Sequence, residues 1–213
     1  SGGDMVGGNL SGAVFLNLYN YRTLTKGWVM LNAMHEVYPG HHAHAVKTAA
    51  GNMPLSFKLG TLQSRSSALS EGICVRTETL MKDIFHPAFP VFTAFRRLHT
   101  ATRIWVDLAL HHFNQGEEAG IELYTKYLKF SRTEAQGQVY SQLLTPGYFT
   151  IYYYGVKRLE EMQKELGYND HDFTEPIFGS GKISLEMLNR LMKLSPTDRT
   201  QIVGNYDPTG THY

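Results

Sequence analysis

MHEVYPGHHAH, Met34 to His44, is the stretch on which the reading of this chain turns. Four of the ten histidines fall within it: His35, His41, His42 and His44, with Glu36 beside the first. A His-Glu pair followed by another His is the way a helix assembles a catalytic zinc site. Two neutral imidazoles bind the metal, and the Glu serves as base toward the water it activates. In the plain HExxH form the two His stand four apart on one helical face.

The spacing here is longer. From His35 to His41 is six positions, roughly 600° of rotation and about 9 Å of rise in an ideal helix. His42 recovers the face but lies about 10.5 Å along the axis. Donors that share one zinc at about 2.0–2.1 Å cannot be spread so far. An unbroken helix is therefore excluded if these residues share a metal. Pro39 and Gly40 supply the break: proline removes a backbone N–H and clashes with the preceding turn, and glycine permits a tight rewinding. The sequence thus predicts a kink or bulge there, which can absorb the inserted residues between His35 and the His pair that follows. The competing reading is a helix end followed by a His-rich surface turn.

Composition bounds the class. The chain has 213 residues, 42% hydrophobic and 18% charged, which suits one globular domain with a sizeable core. Twenty basic residues against 19 acidic ones leave no basic footprint for nucleic acid. One cysteine, Cys74, excludes an internal disulfide and a Cys-based zinc cage, and fits a reducing compartment. No apolar run reaches the length of a membrane span, and no signal peptide is visible.

Along the chain, Ala13 to Tyr21 is aromatic and β-branched enough to predict a short strand, and one or two strands in all are expected. Thr23 or Thr25 caps the helix that carries Trp28, Leu31 and His35. Further helices are predicted over Leu62–Lys82, Phe92–Phe113, a segment opening at Glu117-Glu118, and Thr133–Leu144. Another runs from Tyr148 to about Gly167, and a last short one covers LEMLNRLM. The fold class is mainly α.

The residues around the opening motif resemble a known family. HEVYPGHH is similar to the HE-x-x-PGHH signature of the DUF885 proteins, read as gluzincin-like zinc metallopeptidases. The similarity continues through SALSEGICVRTETLM (Ser67–Met81), RIWVDLALH (Arg103–His111), TPGYFTIYYYG (Thr145–Gly155) and FGSGKISLEML. It implies a gluzincin-like helical metallopeptidase domain over residues 1–213, the C-terminal catalytic portion of a longer protein that acts on peptides. It implies one zinc per chain, held by His35, His41 and Glu71, the last delivered from the next long helix. Glu36 would be the base. Arg103, Asp107 and His111 stand at i, i+4 and i+8, in one helical stripe. Within it Arg103 would bind a substrate carboxylate, Asp107 would orient Arg103 or His111, and His111 would steady the oxyanion. Tyr152, three before Gly155, would be a second oxyanion donor. Three positions depart from the pattern: Tyr148 stands where the family has Gln, and Ser141-Gln142 where it has Arg-Tyr. Those departures bear on specificity.

Two rival readings follow from the same residues. One is a catalytically degenerate relative that serves as a binding or scaffold module, favoured by the departures at Ser141, Gln142 and Tyr148. The other is an oxidative di-iron or di-manganese helical protein, but such sites use Glu-x-x-His pairs, which the sequence lacks.

Overall fold

Thr25 begins the first described helix as the sequence anticipates: its hydroxyl accepts the Trp28 N–H at 3.2 Å. The computed structural model describes residues 11–16, 18, 24–51, 55–59, 67–84 and 87–205. Over these the chain is helical: α1 Lys26–Glu36, α2 His41–Ala50, α3 Leu55–Leu59, α4 Ser67–Leu80 and α5 Phe89–Asp107 come first. A π-helical turn at Leu108–His112 extends α5, and α6 Gly116–Leu128 and α7 Arg132–Leu144 follow. A short 3-10 turn, Tyr148–Thr150, leads into α8 Ile151–Leu166, then α9 Asp170–Gly179, α10 Leu185–Lys193 and α11 Pro196–Asn205. None of these helices is long and apolar enough to cross a membrane.

The predicted strand is not found. Among the described residues there is none; Ala13–Leu16 and Leu18 have no strand pairing and lie exposed, Phe15 at 93%. A strand needs a partner edge for its backbone groups and a face to bury, and these residues have neither. The rest of that span, like Leu62–Ser66 of the helix predicted over Leu62–Lys82, lies outside the described residues.

The fold is arranged around α4. Every residue from Glu71 to Glu78 is buried, so this helix is enclosed on all sides. Its apolar side, Leu69 and Ile73, joins Leu159 of α8, Phe173 and Ile177 of α9 and Leu188 of α10 in the larger core. Arg76 is neutralised toward α9, reaching Asp170 at 3.1 Å and Thr174 at 2.9 Å. A second core packs α5, α6 and α7 through Val106, Ile121, Tyr124 and Val139. The carboxylates of α4 face neither core, and they build the site described below.

Among the described residues the contact between α4 and α8 is the most extensive, and two glycines set its distance. A Cβ on Gly72 would lie 2.5 Å from the Gly155 carbonyl carbon, and one on Gly155 would lie 2.0 Å from the Ala68 carbonyl oxygen. Backbone meets backbone there, so neither neighbour can yield by rotating a side chain. Gly155→Ala is therefore expected to destabilise the chain by about 1–3 kcal/mol. Gly137→Ala on α7, where an added Cβ meets nothing within 4 Å, should stabilise by about 0.5–1 kcal/mol, the usual gain of helical alanine over glycine. Urea denaturation of the two variants beside the parent checks both signs.

Candidate metal centre

His35 lies in the last turn of α1 and is buried, and Glu36 follows it as the last residue of that helix. The chain breaks over Val37–Gly40 and restarts as α2 at His41. Gly40 sits directly against the end of α1: a Cβ there would fall 1.8 Å from the His35 carbonyl oxygen and 2.3 Å from that of Met34. Only glycine fits. This close return places the His41 ring edge-on to the His35 ring, with centroids 4.9 Å apart. The six-residue spacing is thus absorbed at Pro39-Gly40, and the ring beside His35 is that of His41. His42 is half-buried and belongs to no such pair. His44 is buried against Phe178, where burial first, then His41 and Lys182, hold it neutral with a pKa near about 4.

Glu71, in the second turn of α4, closes the group. Its Oε2 lies 3.1 Å from His35 Nε2 and 3.4 Å from His41 Nε2. The outer nitrogens of both rings are held from behind. His35 Nδ1–H donates to Glu78 Oε1 at 2.7 Å, and His41 Nδ1 lies 3.1 Å from the Ser70 hydroxyl. Glu78 is in turn braced by Arg96, whose Nε is 3.2 Å away, and Arg96 donates to Asn32 at 2.7 Å and stacks over Trp28. Two imidazoles fixed through one nitrogen therefore present the other to a single carboxylate oxygen. That is how a chain orients metal-binding histidines.

The electrostatics of the group follow from its burial. Desolvation works against a charged His35, but the Glu71 and Glu78 carboxylates outweigh it and raise the ring to about 9. Burial likewise works against Glu71, and the hydrogen bonds of His35 and His41 outweigh it, lowering that carboxyl to about 2. A proton shared between fixed imidazoles and a carboxylate thus occupies the interaction that a cation would take over. The separations fit a cation too. Donors about 2.0–2.2 Å from zinc at tetrahedral angles lie about 3.3–3.6 Å from one another, close to the 3.1 and 3.4 Å found here.

Around this group the other anticipated residues are distributed unevenly. Tyr152, in the first turn of α8, stacks on His35 with centroids 6.2 Å apart and an interplanar angle of 23°. The Gly72–Gly155 contact is what sets it there. Burial, Glu71 and Tyr148 all push its phenol well above the ordinary range, so it keeps its proton and can donate. Glu36 is half-buried with no hydrogen-bond or ion-pair partner among the described residues, and its charge acts on the Cys74 thiol. The Arg103 guanidinium lies over the rings of Phe149 at 4.7 Å and Tyr152 at 5.4 Å.

Two expectations about the α5 stripe need correcting. Asp107 orients neither Arg103 nor His111; both its oxygens accept the Gly147 N–H, at 3.2 and 3.0 Å. His111 is exposed, and its Nε2–H donates to the Gln142 carbonyl at 3.1 Å; no contact joins it to His35, His41, Glu71 or Tyr152. The physical reason is the π-turn. Phe113 N–H bonds Leu108 O at 2.8 Å, and the wider turn takes His111 off the stripe on which Arg103 and Asp107 stand. Gln142, one of the departures noted above, is fully buried. It accepts from Tyr124, donates to the Arg103 carbonyl and so ties α7 to α5 and α6.

Three residues at the site were not singled out from the sequence. Glu78 and Ser70 hold the outer nitrogens, and the spacing of Glu71 and Glu78 (i, i+7, one face of α4) was the available signal. Cys74 is the third. Its sulfur and the nearest ring nitrogens of His35 and His41 all lie within 4.8 Å of one another. Burial, then the charges of Glu71, Glu78 and Glu36, keep it a thiol. A lone cysteine cannot build a cage, but it can offer one donor.

Of the comparisons with known proteins, one identifies a family. A family model described as "Bacterial protein of unknown function (DUF885)" matches residues 2–192. The chain belongs to the DUF885 family. No curated protein and no solved structure matches it.

Proposed function

We propose that the chain is a gluzincin-like, zinc-dependent peptidase in which His35, His41 and Glu71 hold the metal. The observation that carries this reading is the convergence of two imidazole nitrogens, each fixed through its other nitrogen, on one Glu71 oxygen. When bound, zinc would supply a Lewis acid for the peptide carbonyl and lower the pKa of the attacking water.

The chain's own residues supply the rest. Glu36, adjacent to a ligand and free of protein partners among the described residues, takes the proton from the attacking water. A C–O bond forms at the carbonyl carbon, the C–N bond breaks, and Glu36 passes its proton to the departing amine. Tyr152, kept protonated, donates its O–H to the oxyanion. His111 would join it only by giving up its bond to the Gln142 carbonyl.

Removing the metal tests this reading first. Hydrolysis of an unstructured peptide mixture by the zinc-loaded chain is expected to stop on chelation and to return with one equivalent of zinc, product amines being the readout. Hydrolysis that continues in the chelated protein overturns it.

A further inference from the structure

Cys74 lies at the metal centre, yet the proposed hydrolysis gives it no task. It is fully buried on α4, three residues after Glu71 and four before Glu78. At that spacing the three side chains share one stripe of the helix. The stripe therefore offers the same pair of imidazoles two different donors. Glu71 Oε2 lies 3.1 Å from His35 Nε2 and 3.4 Å from His41 Nε2. The Cys74 sulfur and a ring nitrogen of each histidine all lie within 4.8 Å of one another.

This second set is more than a stray thiol. Its two imidazoles are already held from behind, His35 by Glu78 and His41 by Ser70, so a cation gains them without ordering either ring. Cys74 is the one cysteine of the chain, so no disulfide within the chain takes the sulfur away. The two sets also differ in kind. Thiolate sulfur selects soft cations, and carboxylate oxygen harder ones. Zinc accepts either donor, but the Glu71 oxygen already stands at separations that suit zinc. The sulfur set, spanning up to 4.8 Å, leaves room for a larger, softer ion with longer bonds.

We infer that the centre takes a second class of cation, soft and thiophilic, through His35, His41 and Cys74. Zinc and this cation exclude one another, because both use the same two imidazoles. The inference rests on the proposed reading in one respect, that His35 and His41 bind metal. On uptake the S–H bond breaks as the sulfur–metal bond forms. The proton leaves to solvent, and no electron is transferred. A hydrolysis that depends on zinc then stops as the thiophilic ion replaces it.

Cadmium(II) is the probe, because its bond to sulfur gives an ultraviolet charge-transfer band that carboxylate and imidazole ligands do not. The zinc-loaded chain should take up one cadmium, release its zinc and develop the band. Cys74→Ser should show no band and keep its zinc at the same cadmium concentration. Its cadmium affinity should fall by more than the roughly 10–100-fold that an outer partner is worth. Glu71→Ala should do the reverse, losing stoichiometric zinc while binding cadmium with the full band. A merely structural cysteine would not give this crossing of two variants against two metals. Cadmium bound by the parent chain without the band overturns the inference. So does a Glu71→Ala chain that binds neither metal, since Cys74 then completes no set of its own. If Cys74→Ser does not fold, the band in the parent and in Glu71→Ala decides. None of these readouts is hydrolysis, so the peptidase reading falls separately, if the zinc-loaded chain cleaves no peptide. A parent chain that takes up neither metal overturns both.

Discussion

Glu36→Gln is expected to lower peptide hydrolysis by about 10²–10⁴-fold, the worth of a positioned acid–base group, while the chain keeps its zinc. Gln has nearly the shape of Glu and can still hydrogen-bond a water, but it cannot accept the proton. The split between activity and metal content is what makes the variant informative. Glu36 ends α1 immediately after His35, so its backbone is fixed by the same turn that fixes the ligand. Its side chain makes no hydrogen bond or ion pair among the described residues, so little structure is lost with its charge. Peptide hydrolysis by amine release and zinc by mass spectrometry, on the same preparation, check the two halves. A binding or scaffold module would have no hydrolysis to lose. Hydrolysis undiminished by the substitution contradicts the mechanism.

Glu71→Ala should have the second large effect, the loss of stoichiometric zinc. Removing an outer partner of a ligand costs roughly 10–100-fold in metal affinity, and Glu78→Gln should fall in that range, since it weakens the grip on His35 Nδ1 and the pairing with Arg96 but leaves all three proposed ligands in place. Removing Glu71 takes away the oxygen on which both imidazoles converge, and the fall should exceed that range. Cys74→Ser is the control that separates the two candidate donors of α4. With Glu71 as ligand it should leave affinity nearly unchanged. Titration against a chelator of known affinity ranks the three variants, and a Cys74→Ser chain that loses zinc while Glu71→Ala keeps it would move the ligand from oxygen to sulfur.

Much of this arrangement was legible from local chemistry. Residues six positions apart, His35 and His41, cannot lie on one straight helix and meet, so Pro39-Gly40 had to break it; the choice of His41 over His42 came with the family resemblance. Helix starts at Thr25 and stops at Pro146-Gly147 likewise depend on the residues at the boundary alone. What the sequence hid depends on neighbours distant along the chain. The π-turn after Asp107 carries no marker of its own, and it took His111 off a stripe that an ideal helix would have kept. The fit of Gly72 against Gly155 links positions on two helices, and local chemistry does not show it; Tyr152, which the resemblance singled out among three consecutive tyrosines, stacks on His35. The strand expected over Ala13–Tyr21 rested on propensity, which reports how well a residue suits a half-buried pleated surface. Among the described residues of that span there is no such surface.

The ligand set itself is tested most directly by X-ray absorption at the zinc edge on the loaded chain. The account predicts one zinc per chain with nitrogen and oxygen neighbours at about 2.0–2.2 Å, imidazole outer-shell scattering from two rings, and no sulfur. A sulfur neighbour at about 2.3 Å would put Cys74 in the first shell, and a chain that takes up no zinc would remove the centre altogether; either result contradicts it.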